Sequence, residues 1–373
     1  MKRFYLRLWI FSLPVFVFLA IPCYVLFTTG ENFTDIDPVL AQEERYLIGY
    51  AYNEGNYGYL KWKKINISER YEVLAVGSSR VLPFRSNMFK KSFYNAGYTV
   101  VSIQDFLPFL RSLPKEKYPR YLILALDQWM FNENWDNLKN PPPDIDKWAK
   151  SFRKIPDIPV LVNVWGDLLP GKYGFFISDK TPNGLYIGLN AWVNNLGFRN
   201  DGSMFYGNQI KKLLVDDSTA NDYGYHDTYS RINAGEQRFQ YGENINPLAL
   251  KVLDTLLQYC HQNSLEVVAF IPPFADKVNE KLNETGKYQY MDSIYIASCR
   301  VFDKYEFELY NFQSLKSFSS ADFETLDGFH GGELSYTKML IKMLESNSVL
   351  NEVADLFWLR QDLKNRKNRY EVY

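Results

Sequence analysis

Histidine and cysteine are scarce in this 373-residue chain, three of each, and no His/Cys cluster has the spacing of a zinc site. A resident metal is therefore not expected. No Gly-x-x-x-x-Gly-Lys loop is present, so a phosphate cradle for nucleotides is missing too, and the sequence implies no cofactor. Charge of one sign is also lacking: 42 Lys and Arg face 43 Asp and Glu, a net charge of −1. No long-range field favours nucleic acid as a partner. No Pro/Ser-rich linker or internal repeat breaks the chain, so one large domain is expected after the N-terminal segment. Beyond that segment only Cys260 and Cys299 remain, which permits a disulfide without implying one. Cys260 continues the apolar face Leu250, Leu253, Leu257, where a core role is expected.

The N-terminal segment is the longest apolar run. Lys2, Arg3 and Arg7 precede Leu8 to Phe27, about twenty uncharged residues, the length that crosses a hydrocarbon core. A cleaved signal peptide has a shorter apolar core and an Ala-x-Ala-like site; neither is evident, so residues 1–30 read as a membrane anchor bent at Pro14 and Pro22. Basic residues before the span and Glu31, Asp35, Asp37, Glu43 and Glu44 after it place the N-terminus in the cytoplasm and the rest outside, periplasmic or extracellular.

Strand patterns at 71–76, 91–95, 121–126, 265–271 and about 299–303 alternate with helical stretches. This predicts an α/β fold of three layers, α/β/α, with a mostly parallel, flavodoxin-like sheet. Asn246 with Pro247 after it starts the clearest helix, which runs to about Gln262. Ile103, Phe106, Leu107 and Leu110 fit another despite Pro108, as do Leu334 to Leu344 and the pattern Val349, Val353, Leu356, Phe357. Residues from about 136 to 245 break the alternation; rich in Gly, Asn, Asp and aromatics, as in Tyr173-Gly174-Phe175-Phe176, they read as an insertion over the active-site edge of the sheet. The domain thus spans 31–345, and 346–373 form a last helix and a basic tail, Arg360, Lys364, Arg366, Lys367 and Arg369, expected as a solvated helix end.

Two short motifs carry chemistry. Tyr71 to Val76 reads as a buried strand that stops at Gly77, so Ser79 falls on a strand-to-helix turn, beside the crevice where open α/β sheets bind ligands. Near the far end stands Asp327-Gly328-Phe329-His330. A nucleophilic serine needs a histidine to take its proton, and that histidine needs a carboxylate to orient it. His226 and His261 lie in a Tyr/Gly-rich loop and at a helix end and read as surface or capping residues; Asp322 is the reserve carboxylate.

Gly77-Ser78-Ser79 and Asp327 to His330 resemble the first and last blocks of the SGNH (GDSL-like) hydrolase superfamily, Gly-x-Ser and Asp-x-x-His. With a membrane anchor in front, the chain is similar to that superfamily's envelope acyltransferase type, such as the D-alanyl transfer protein of teichoic-acid modification. The resemblance implies Ser79 as nucleophile, His330 as general base and Asp327 as its orienter. It also implies a membrane-bound O-acyltransferase as the partner that delivers the acyl group. The middle blocks depart from the pattern: Val100 stands where an oxyanion glycine is common, and Ala125-Leu126-Asp127-Gln128 lacks the oxyanion asparagine. Arg80, Asn95, Gln128 or the Ser79 amide would have to fill that role, and Trp129 is the candidate surface for a sugar ring. The expected function is a membrane-anchored, extracytoplasmic O-acyltransferase, O-acetyl foremost, acting on an envelope or exported polysaccharide. A carbohydrate esterase with the same triad and a non-catalytic binding or assembly protein of the same fold remain open.

Overall fold

The computed structural model describes residues 2–140, 155–173 and 185–373. Its strands are β1 (Tyr46–Ile48), β2 (Val73–Gly77), β3 (Phe93–Gly97), β4 (Tyr121–Ala125), β5 (Leu185–Ile187), β6 (Leu196–Phe198), β7 (Met204–Tyr206), β8 (Glu266–Ile271) and β9 (Glu308–Asn311). They form two sheets, ordered β5-β1-β6-β7 and β3-β2-β4-β8-β9. The chain divides into two compact units, one from residues 1–57, 150–200 and 204–208, the other from 58–149, 201–203 and 209–373. One domain was expected. The difference arises because part of the presumed insertion supplies β5, β6 and β7, which pair with β1 or with each other rather than adding to the main sheet.

In the larger unit every strand pairing is parallel. Numbered within that sheet, the order is 2-1-3-4-5, which puts the topological switch point beside β2. Side chains alternate between two buried cores: Leu74, Val76, Leu122, Leu124 and Ala269 on one face, Val73, Ala75, Ile123, Val268 and Phe270 on the other. Such fully buried strands are the mark of a parallel sheet covered on both sides. The helix Pro247–Gln262 starts as expected, with Asn246 Oδ1 accepting from the Leu248 N–H at 3.0 Å, and it buries Leu253, Leu257 and Cys260. Cys260 and Cys299 are both free thiols, and burial pushes Cys260 up to about 12.

Three expectations change here. The stretch at 299–303 is not a strand but the end of a helix, Tyr290–Phe302, whose buried Ile294, Ser298 and Val301 follow helical spacing; the last strand is β9. The pattern from Val349 divides into a 3₁₀ turn, Val349–Glu352, and a helix, Leu356–Lys364. The basic tail is solvated at Arg360, Lys364, Arg366 and Lys367 as expected, but Arg369 is half-buried and donates to the Leu213 carbonyl at 2.6 Å, and the Val372 and Tyr373 N–H groups beyond it donate to Glu333. Tyr173 is described, whereas Gly174, Phe175 and Phe176 lie outside the described residues.

The smaller unit holds the N-terminal helix Lys2–Thr29, long and apolar enough to span a membrane. Glu31, one of the acidic residues that follow the span, is buried. Its carboxylate accepts from the backbone N–H groups of Ala51, Tyr52, Asn53 and Leu189 at 2.8–3.2 Å. Burial still raises its affinity for a proton despite these bonds. Four backbone donors thus converge on one buried side chain, and a buried donor left unsatisfied is costly. Glu31→Ala should lower unfolding stability by at least about 3 kcal/mol, and Glu31→Gln, which keeps one acceptor, by less; urea unfolding of the full chain in detergent measures both.

Candidate active site

Ser79 opens the 3₁₀ turn Ser79–Val81 directly after β2, and the Ser78 hydroxyl caps that turn by accepting from the Arg80 N–H at 3.2 Å. Gly77 serves close packing. Its backbone is not left-handed, but a Cβ there would lie 2.9 Å from the Ala125 Cβ on β4. This reason differs from the unusual backbone angles the sequence suggested.

The second motif forms a tight loop closed by an antiparallel bridge between Thr325 and Gly331 and by the Leu326 N–H donating to the His330 carbonyl at 2.7 Å. Inside it, Asp327 Oδ1 accepts from the Phe329 and His330 N–H groups, both at 2.7 Å. The same carboxylate faces His330 Nδ1 at 2.8 and 3.0 Å, and His330 Nε2 lies 2.8 Å from Ser79 Oγ. The three residues chosen from the sequence, with Ser79 248 positions before Asp327, thus form one hydrogen-bonded relay. Burial pushes the Asp327 carboxyl upward, but His330 and the donated bonds outweigh it, so the group is held below its ordinary range. With the Nδ1 proton directed at Asp327, Nε2 accepts from the serine hydroxyl, the tautomer this pattern requires. Ser79 keeps 7% of its surface open to solvent. Such a serine can pass its proton to the imidazole as it attacks an electrophile.

Asp222 was missed in the sequence. Its carboxylate accepts from the Gly328 N–H at 3.1 Å and from the Thr228 hydroxyl and N–H, tying the Asp327 loop to the helix His226–Ala234. A Cβ on Gly328 would sit 2.6 Å from Thr228 Oγ1. Nothing in spacing distinguishes Asp222 from the other Asp and Asn residues of that Gly-rich stretch.

The oxyanion and substrate candidates behave differently from expectation. Asn95 is buried; its amide nitrogen donates to the Val81 and Phe84 carbonyls and its oxygen accepts from the Gly97 N–H. Gln128 donates to the Pro272 carbonyl at 2.7 Å and accepts from Arg80 at 2.6 Å. Arg80, fully buried, also donates to the Pro273 carbonyl at 2.5 Å and lies 3.5 Å from Asp127. Trp129 is fully buried, packed against Phe329 and donating to the Val101 carbonyl, so it offers no ring face to a sugar. All four are buried, Asn95 within β3 and the others in the turns that follow β2 and β4, and a neighbouring backbone carbonyl accepts from each. The Ser79 N–H, in contrast, has no acceptor among the described residues. Asp322 is not a spare triad member: it accepts from the Asp276 and Lys277 N–H groups at the start of another helix. His226 and His261 are exposed.

Among the described residues no three His, Cys, Asp or Glu side chains converge as a metal site. No protein-family model matches the chain, and no curated protein matches it either.

Because the folded Asp327 pKa lies below its unfolded value, its contribution is complete above the unfolded pKa and is lost as pH falls through the folded one. Asp327→Asn should therefore be less stable than wild type at pH 7, and the gap should narrow in acid; urea midpoints at pH 7 and pH 3 measure it. A gap that widens in acid would contradict the depressed pKa.

Proposed function

We propose that the protein is a membrane-anchored O-acyltransferase of SGNH type, with Ser79 as nucleophile, His330 as general base and Asp327 as orienter. The observation that carries this reading is the continuous Ser79–His330–Asp327 relay at the switch point of a parallel sheet. The two buried cores on either face of that sheet support the three-layer arrangement expected of the fold. In the proposed cycle Ser79 Oγ attacks an acyl carbonyl while its proton moves to His330 Nε2, and the Ser79 N–H donates to the oxyanion. The leaving group takes the proton from His330, and an acyl-enzyme remains. A sugar hydroxyl then attacks the acyl-enzyme carbonyl as His330 takes its proton; the Ser79 Oγ–acyl bond breaks, His330 returns the proton to Oγ, and the acylated sugar leaves.

The apolar N-terminal helix supports transfer over simple hydrolysis, since holding the site beside a membrane-bound O-acyltransferase donor and a polysaccharide acceptor raises the effective concentration of both. We assign the site to the extracytoplasmic side and the transferred group to acetyl. The relay favours a catalyst over a binding protein of the same fold, because a binding protein has no use for an imidazole held between a serine and a carboxylate.

The test uses the full chain in detergent, because Val25, Leu26 and Thr29 at the end of the N-terminal helix are buried and cutting them away would expose what they cover. A serine-directed fluorophosphonate should add once, on Ser79, by intact mass. Ser79→Ala should take no label, and His330→Ala should label roughly 10⁴-fold more slowly. An adduct of unchanged rate in either variant would overturn the assignment. Loss of polymer acetylation on deletion of the protein fits transfer, and a gain fits esterase action.

A further inference from the structure

The N-terminal helix contains Pro22, and proline has no N–H. The carbonyl four residues earlier, that of Phe18, has therefore lost its helical donor. Phe18 stands midway along the uncharged stretch from Leu8 to Phe27, about 16 Å before the helix end at Thr29. At that depth no water is at hand to replace the missing bond. The Trp165 indole N–H supplies it, donating to the Phe18 carbonyl at 2.9 Å.

Trp165 belongs to the helix Ile158–Leu168, started by Asp157, whose carboxylate accepts from the Val160 N–H at 3.0 Å. Three sides of this short helix differ. Val160, Leu161 and Val164 pack against Val25 and Leu26 of the N-terminal helix. A second side, Ile158, Val162 and Leu169 together with Ile155 before the helix, is left 67, 51, 78 and 75% exposed. Opposite it runs a polar edge of Asn163 and Asp167, with Asp167 accepting from the Tyr52 and Tyr173 hydroxyls. At about 16 Å the helix is too short to span. An apolar side opposite a polar edge is the pattern of a helix lying in the plane of a leaflet.

We propose that Ile158–Leu168 is a second, non-spanning membrane element. It lies in the leaflet entered by the C-terminal half of the N-terminal helix. Its Ile158/Val162/Leu169 side is covered by lipid acyl chains, its Asn163/Asp167 edge faces water, and Trp165 pins it to the carbonyl that Pro22 frees. Two independent observations meet here: the occupied proline-orphaned carbonyl, and an exposed apolar side on a helix that packs against the apolar span. The reading of the catalytic site plays no part, so failure of either proposal leaves the other standing.

The test uses the full chain with Cys23, Cys260 and Cys299 replaced by Ala, carrying a single environment-sensitive NBD label at Val162→Cys or Asn163→Cys, in phosphatidylcholine vesicles. The label at 162 should emit further to the blue and be quenched several-fold more by acyl-chain nitroxide lipids than by aqueous iodide; the label at 163 should show the reverse preference. Equal access of iodide to both positions would overturn the proposal, and so would protection of position 162 from lipid and iodide alike, which would indicate a protein cover. A second measurement isolates the pin. Trp165→Phe should lower the thermal midpoint in the wild-type background and lower it much less in Pro22→Ala, where the substitution restores the backbone N–H donor. Equal losses in both backgrounds would refute the role given to Trp165.

Discussion

One carboxylate governs the candidate site. Asp327 Oδ1 accepts two successive backbone N–H groups and thereby sets the turn that carries His330, while the same group orients the imidazole through Nδ1. Loop shape and ring orientation are therefore coupled. A substitution at Asp327 would alter not only the charge beside the ring but the turn on which the ring is mounted. Asp222 extends the dependence outward, since from the turn before the helix His226–Ala234 it holds the Gly328 N–H. The bond from the Phe329 N–H, two residues on, makes an Asx turn, and the His330 N–H one residue further joins it, which explains why the pair can be so compact.

Beneath Ser79 a second set of interactions joins the carboxyl ends of three strands. Arg80, just after β2, reaches the Pro273 carbonyl beyond β8 and the Gln128 oxygen beyond β4, and Gln128 in turn donates to the Pro272 carbonyl. The Arg80 ring of partners is completed by Phe274, whose ring lies 4.2 Å from the guanidinium carbon, a cation–π contact worth more when desolvated. A fully buried arginine is expensive unless its donors are used. Here most of them are, and the return is positional: the three loops that border the serine cannot shift independently.

The parts of this arrangement differed in how legible they were. Ser79, Asp327 and His330 stood out because strand ends and short-range turn geometry are encoded locally, in Val73 to Gly77 and in the Asp-Gly-Phe-His run itself. The parallel sheet was legible for the same reason, since its strands are near-continuous apolar runs. The roles of Asn95, Gln128 and Trp129 were not, because each is decided by a backbone carbonyl that no local pattern points to: those of Val81, Pro272 and Val101. The segment near residue 300 misled because Cys299 to Phe302 is apolar enough for a strand, and only the spacing back to Ile294 and Tyr290 reveals the helix. The partition into two units was hidden because the pairing of β1 with β5 joins residues about 140 positions apart.

Asp127 stands where the hydrolases that the two motifs resemble carry asparagine, and an anion there would repel an oxyanion on Ser79. The structure changes the premise. Burial pushes the Asp127 carboxyl up, and Arg80, then the Ser78 hydroxyl and Arg238, pull it back. Arginine does not give up its proton under such conditions, so the charge of Asp127, whenever it is present, is matched by a guanidinium 3.5 Å away. Two opposite unit charges at about 4 Å attract by about 4 kcal/mol at an effective dielectric of 20, and seen from outside the pair they largely cancel. Asp127 is then the counterion that makes Arg80 tolerable in the interior. What the chain gives up relative to an asparagine is a side-chain donor to the oxyanion. What it gains is the strand-end clamp built on Arg80. In the proposed cycle the oxyanion would be supported mainly by the Ser79 N–H, so the reactivity of the serine should depend all the more on the His330–Asp327 pair.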